Sequence, residues 1–239
     1  MKILSIIPLI LMCVVPLPSW GETMEDLVKR DGIYYKKFSD VPFTGPVEIR
    51  NFRGVLHKGY VKNGKSDGPW VAYWLNGQLS SQGNYKKGEK DGPWISYWEN
   101  GHLWDKGDYK NGKKEGVWIS YWADGQLDAK GEYRSGKREG LWFWHYANGQ
   151  LQTKGEYKNG EKEGPWVLYY GSGVVKYKGA FKGGKEDGPW VYYLLSGRVS
   201  NKGEYKNGKR DGRWVFYHPD GSLNKKSSGV LKNGKKMSD

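Results

Sequence analysis

From Gly68 onward the chain repeats one phrase of apolar and polar positions every 24 residues. An acidic residue and a glycine are followed, two places on, by tryptophan. Gly68, Gly92, Gly116, Gly140, Gly164, Gly188 and Gly212 open seven such units. Numbered from that glycine, position 3 is always Trp (Trp70, Trp94, Trp118, Trp142, Trp166, Trp190 and Trp214), and position 4 is always apolar. Position 6 is Tyr except at His145, position 10 is Gly, and position 12 is Leu or Val. Position 16 is Gly except at Ser227, and position 18 is Tyr or Phe except at Gly229. A shorter unit without the Trp runs from Gly45 to Asp67, and the last unit carries two extra residues before Gly229. A fixed period of this length marks a stacked array, whose end units have one neighbour and diverge.

Two turn signals divide each unit. Positions 9 and 10 carry Asn76-Gly77, Asn100-Gly101, Asp124-Gly125, Asn148-Gly149 and Asp220-Gly221; positions 20 and 21 carry Asn111-Gly112, Asn159-Gly160 and Asn207-Gly208. Asn-Gly and Asp-Gly accept the positive φ of tight hairpin turns. The segments between them are aromatic and β-branched at strand spacing, with no helix-length periodic run. The pattern predicts an all-β fold, an elongated open antiparallel meander of about eight 24-residue β-hairpin repeats. That makes about sixteen strands in a ribbon on the order of 75 Å long before twisting. Strict alternation puts positions 4, 6, 12, 16 and 18 on one face. It puts the Trp row on the other, with Lys106, Lys130, Lys154, Lys178 and Lys202 at position 15 and acids at position 17. The array is expected over 45–236, with units starting near 45, 68, 92, 116, 140, 164, 188 and 212. Residues 22–44 are non-repetitive, with a short helical turn expected from Thr23 to Asp26, and 237–239 form a tail.

The unit Asp-Gly-Pro-Trp-Val-Ala-Tyr-Trp-Leu-Asn-Gly at 67 to 77, continued to Lys90, resembles the variant bacterial form of the MORN repeat. So does Pro42-Phe43-Thr44-Gly45 ahead of the first unit. Choline-binding and clostridial-toxin repeats share Gly-x-Trp and Asn-Gly elements. They have a shorter period and lack the Lys-Asn-Gly-Lys-x-Glu-Gly joint found at 110 to 116. The resemblance implies a twisted sheet of hairpins used as a scaffold. In eukaryotes the wider family is linked to membrane-proximal assembly and acidic lipids. Bacterial chains of this kind are often labelled antitoxin components of toxin–antitoxin pairs, a role that fits poorly with an exported chain.

Export is what the first 21 residues predict. Lys2 precedes an uncharged apolar run from Ile3 to Val15, Pro16 and Pro18 break it, and Ser19-Trp20-Gly21 offers a cleavage site before Glu22. The only cysteine, Cys13, leaves with that segment. A lipoprotein anchored through Cys13 is the rival reading, and the bulky Met12 argues against it. The expected location is therefore the periplasm, the cell envelope or the exterior. Composition agrees with an ordered chain, because 15% aromatic residues, including 13 Trp and 18 Tyr, exclude a disordered one.

No catalytic set emerges. His57, His102, His145 and His218 occupy unrelated positions in their units, so stacking does not converge them into a metal site. No Gly-x-Ser-x-Gly elbow and no phosphate-cradling loop opening a helix is present. The chain is read as a non-enzyme without cofactor or metal. The acids at position 24 (Asp67, Asp91, Glu115, Glu139, Glu163, Asp187 and Asp211) read as turn-stabilising.

Two surface features remain. The net charge of +13 concentrates at the joint turns, where position 19 is Lys86, Lys110, Arg134, Lys158, Lys182 and Lys206, and positions 22 and 23 add Lys90, Lys113, Lys114, Lys137, Arg138, Lys162, Lys185, Lys209 and Arg210. This margin is a candidate contact for anionic surfaces such as acidic lipid or polyanionic wall polymers. Position 7 carries Trp74, Trp98, Trp122, Tyr146 and Tyr170, then lapses to Leu194 and His218. These rings are a candidate binding surface for a glycan or a partner chain, favouring the first four units. The leading expectation is an exported scaffold binding another protein at the envelope. Carbohydrate or cell-wall binding, acidic-membrane association and an antitoxin role follow. Nucleic acid is not expected for an exported chain, and open sheet edges allow self-association.

Overall fold

The computed structural model describes residues 22, 23, 26–51 and 53–238. The export signal expected over residues 1–21 lies outside the described residues. Every described regular element is a strand. One sheet of 20 strand segments holds the array. From Gly45–Arg50 to Lys235–Ser238 the strands pair antiparallel in chain order, with Lys65–Ser66 and Gly68–Tyr73 both pairing Leu56–Lys62, and Lys185–Glu186 and Gly188–Tyr193 both pairing Val175–Lys182. Among the described residues no strand returns to cover the sheet, so the array is a single layer. A typical unit pairs Lys113–Tyr121 with Leu127–Arg134, and the latter with Lys137–His145.

The two turn signals form two different turns. At the joints, positions 20 and 21 both have positive φ, as at Asn111 (49°) and Gly112 (72°). This is the two-residue turn whose twist matches paired strands. Lys87 and Ser135 adopt the same conformation without being Asn. At positions 7 to 11 only the glycine is left-handed. The Trp98 amide donates to the His102 carbonyl and the Gly101 amide to the Trp98 carbonyl. Asn100 Oδ1 accepts the His102 amide at 3.0 Å and closes the turn.

The face assignment from strict alternation is wrong. Trp118 pairs with Gly131 and Ile119 with Lys130, but Tyr121 pairs with Leu127, so Asp128 is an extra residue on its strand. The same shift recurs in the units that open at Gly68, Gly140, Gly164 and Gly188. One inserted residue moves all that follows to the other face. Positions 3, 5, 14, 16, 18 and 23 therefore share one side, the ladder face. Positions 4, 6, 12, 15 and 17 share the opposite face.

The N-terminal segment is a cap. Leu27–Arg30 and Ile33–Lys36 form a separate hairpin, and Glu22–Thr23 pairs in parallel with Val47–Glu48. Leu27, Phe43, Val47, Ile49, Val61 and Trp70 bury together, covering the end where the first unit lacks a neighbour. Of the segment expected to form a short helical turn, Thr23 ends a strand and Asp26 lies in a turn, while Met24 and Glu25 lie outside the described residues. Thr23 Oγ1 donates to Asp26 Oδ2 at 2.7 Å, and the Asp26 amide donates to the Thr23 carbonyl.

Candidate binding surfaces

The ladder face is organised by a tryptophan seated on a glycine. Each position 3 indole lies flat over the position 16 glycine of the preceding unit, and a Cβ built on Gly131 or Gly155 would overlap Trp142 or Trp166. Each indole Nε1 then donates to the position 17 carbonyl of that preceding unit, from Trp70 to Tyr60 at 3.2 Å through Trp214 to Glu204 at 2.9 Å. Position 18 rings fill the intervals. Trp94, Tyr109, Trp118, Tyr133 and Trp142 meet edge to face at centroid distances of 5.1 to 6.2 Å. The series runs unbroken from Trp70 to Trp214. Each such pair contributes about 0.5–1.5 kcal/mol beyond its buried area.

Position 23 lays cations on this ladder. Lys90 Nζ is 3.8 Å from the Trp94 ring centroid, Lys114 Nζ 3.6 Å from that of Trp118, and Arg138 Cζ 4.9 Å from that of Trp142. Burial pushes the Lys90 and Lys114 ammonium pKa values down, and the Asp105 carboxylate opposes that shift. Sequence reading found these residues only as part of a basic margin. Their place on the rings depends on the turn and bulge geometry.

Positions 5 and 14 lie beside the ladder and split the array. Early units carry Ala72, Ser81, Ser96, Asp105, Ser120 and Ala129; later ones carry Trp144, Leu168, Tyr177, Tyr192 and Phe216. Trp144, Tyr177, Tyr192 and Phe216 pack with Trp166, Phe181, Trp190, Trp214 and Leu231 into a continuous cluster, while Thr153 and Asn201 stay polar at position 14. The earlier ones leave an open depression of about 140 Å³ around Asp105, Lys114, Ser120, Asp128, Arg138 and Trp144.

The position 7 rings stand half-buried at the turn margin. Trp74, Trp98 and Trp122 Nε1 donate to the carbonyls of Tyr97, Tyr121 and His145, and the Tyr146 and Tyr170 hydroxyls donate to those of Tyr169 and Tyr193. Each ring therefore ties its turn to the next unit, at N···O or O···O distances of 2.8 to 3.2 Å. Position 9 asparagines make a parallel bond, Asn100 Nδ2 to the Ala123 carbonyl at 2.8 Å.

The joint margin is basic and exposed. Lys86, Lys110, Arg134, Lys158, Lys182 and Lys206 are all exposed. Four of them face a like charge across the turn: Lys110 opposite Lys113, Arg134 opposite Lys137, Lys182 opposite Lys185 and Lys206 opposite Lys209. The position 24 acids offset these charges only locally, with Glu139 Oε1 3.9 Å from Arg134 and Asp211 Oδ2 3.8 Å from Lys232. They stabilise turns, with Glu115 Oε2 accepting the Ser135 amide at 2.7 Å and Glu139 Oε2 that of Asn159 at 2.8 Å. The same bond recurs at every unit joint from Asp67 to Asp211.

The histidines stay apart. His57 sits by Asn51 with its pKa lowered by burial, His102 Nδ1 lies 2.7 Å from the Ala123 carbonyl, and His145 Nδ1 is buried without a partner. Among the described residues no group of three His, Cys, Asp or Glu side chains is placed to hold a metal ion.

A single-layer sheet of identical hairpins, locked by one Trp–Gly contact per joint, defines a repeat scaffold. The chain is a MORN-variant repeat protein: the sequence profile of the MORN repeat variant matches residues 66–87, 90–111, 114–135, 138–159 and 210–229. The units between those last two matches keep the framework, with Trp166 over Gly155 and Trp190 over Gly179. A comparison with curated proteins finds no significant match.

Proposed function

We propose that this protein is an exported, non-enzymatic scaffold that holds a partner protein at the cell envelope. The observation behind this reading is the uncovered face opposite the ladder. Val117 and Leu141 are 45% and 48% exposed there. Ile119 and Phe143 stand beside them on the same strands, only partly buried. A row of aliphatic side chains on a flat, repeating surface favours a protein contact. The repeat framework uses its rings and turn bonds to hold its own units together, which leaves that face free to present. The test is a pull-down from the native envelope fraction with the mature chain. One envelope protein should co-purify, survive high salt, and be lost with Leu141→Asp while the circular dichroism is unchanged. Absence of any salt-resistant partner, or retention of the partner by Leu141→Asp, argues against it.

The basic margin supports a second reading, contact with an anionic surface. Its like-charged pairs across the joint turns cost stability and persist along the array, as an electrostatic attachment requires. Salt-sensitive pelleting with anionic vesicles, weakened by Lys110→Glu and Arg134→Glu together, would favour this reading over the first.

A further inference from the structure

We infer that the depression on the ladder face that spans the units opening at Gly92, Gly116 and Gly140 is a binding site for an acidic sugar, a hexuronic acid residue within a glycan. The inference is independent of the partner protein proposed above, because it concerns the other side of the sheet.

The site combines groups that one ligand chemistry satisfies together. Lys114 Nζ and the Arg138 guanidinium are half-buried cations at one edge of the depression. Lys114 has Asp105 at 3.8 Å. Arg138 has no carboxylate within ion-pair distance among the described residues. Its guanidinium lies over Trp142, Trp144 and Tyr157 and donates to the Tyr157 hydroxyl at 3.2 Å. That side chain is held in place by rings and a phenol, with its charge unanswered. A ligand carboxylate answers it with charge-assisted hydrogen bonds.

Two acids set a second requirement. Asp105 and Asp128 line the same depression, and Asp128 Oδ2 accepts the Ser120 hydroxyl at 2.8 Å. A bare phosphate or a run of carboxylates meets repulsion from both. A ligand with one carboxylate and several adjacent hydroxyls does not: its hydroxyls donate to Asp105, Asp128 and Ser120 while its carboxylate faces Arg138. The volume of about 140 Å³ corresponds to a few waters and suits a single ring. Trp144 supplies an apolar wall for the carbon face of that ring.

Asp128 is itself the extra residue of its hairpin, so the bulge adds the second acid to the site. No other unit combines an acid at this bulge with small residues at positions 5 and 14.

The test is titration of the full-length chain, purified as the mature protein, with α-1,4-trigalacturonate, read by tryptophan fluorescence and calorimetry. Saturable binding is expected, at least tenfold weaker for neutral maltotriose and for Arg138→Gln, and several-fold weaker for Asp128→Asn. Ser120→Trp should abolish it. This variant copies Trp144, the residue that the next unit already accommodates at the same position, so the fold should tolerate it. Circular dichroism checks that each variant keeps its sheet. No saturable signal at millimolar trigalacturonate, unchanged affinity in Ser120→Trp, or equal binding of maltotriose overturns the inference. So does tighter binding of a glutamate hexapeptide than of trigalacturonate, which would assign the depression to an acidic polypeptide.

Discussion

The early and late units of the array share one hairpin framework but differ in what lies beside the ladder. From the N-terminal unit to the last, the exposure of the position 3 indoles falls without reversal: Trp70 8%, Trp94 6%, Trp118 and Trp142 4%, Trp166 and Trp190 2%, Trp214 0%. The cause is local. Ala72, Ser96 and Ser120 at position 5 give way to Trp144, Tyr192 and Phe216, which pack against the indoles. The hairpins, bulges and Trp–Gly contacts are the same in both regions. The framework is therefore indifferent to positions 5 and 14, which are free to fill a core in one half and to shape a site in the other.

The largest expected effect is at the filled end. Trp214→Ala should cost about 3–5 kcal/mol. Trp94→Ala should cost measurably less, because the small Ser81 and Ser96 beside it leave fewer contacts to lose. Urea unfolding followed by circular dichroism compares them, and equal losses would break the contrast between halves. Trp142→Ala, between the two, should also cost several kcal/mol and loosen the middle of the array.

Opening the filled half is the next test. Trp144 stacks on Trp142 and Trp166 at centroid distances of 5.5 and 5.8 Å. Trp144→Ser recreates the third unit's floor in the fourth and should cost about 2–4 kcal/mol. A neutral result would show that the ladder carries the array without its flanking rings.

Framework substitutions should ignore the division. Gly131→Ala and Gly179→Ala each place a methyl against an indole, under Trp142 and Trp190. Each should cost about 1–3 kcal/mol, and by similar amounts. Thermal melts that separate the two by more than that range would contradict a common framework.

Alkaline pH offers a weaker distinction. Burial raises the Tyr177 and Tyr192 phenols, and Tyr192 is also held up by its bond to Tyr205. The folded chain keeps these protons after the unfolded chain loses them, so stability falls as pH rises above about 10. Tyr85 and Tyr109 act likewise in the early units. There, however, Lys90 and Lys114 both have pKa values lowered by burial, against Lys162 alone in the later units. The unfolded ammonium groups hold protons that the folded ones release, so these lysines regain stability as pH approaches about 10.4. The later half should therefore lose near-ultraviolet circular dichroism first between pH 9 and 12. Simultaneous loss would remove that distinction.

The smallest effect belongs to the turns. Glu115→Gln keeps an acceptor for the Ser135 amide but loses its charge, and should cost about 1 kcal/mol or less in either half. Urea midpoints for Glu115→Gln and Glu163→Gln should shift equally.

Much was legible in the chain. The 24-residue period, the paired turn signals and the absence of helical periodicity set an open meander of hairpins. The acids at position 24 read as turn-stabilising, and each accepts a turn amide. The faces were not legible. Counting alternate residues places Trp118 and Tyr133 on opposite sides, whereas Asp128, one residue too many, brings them together. A bulge costs so little that a sequence need not announce it, yet it inverts every side chain beyond it. Lys114 and Arg138 looked like members of a solvated margin for the same reason. The order of residues along the chain determined that units repeat and pair with their neighbours, because turn chemistry and strand propensity are local. Only the packed sheet decided which rings meet, which cations lie on them and where a depression opens, because those contacts join residues about one repeat apart through a register that no local stretch contains.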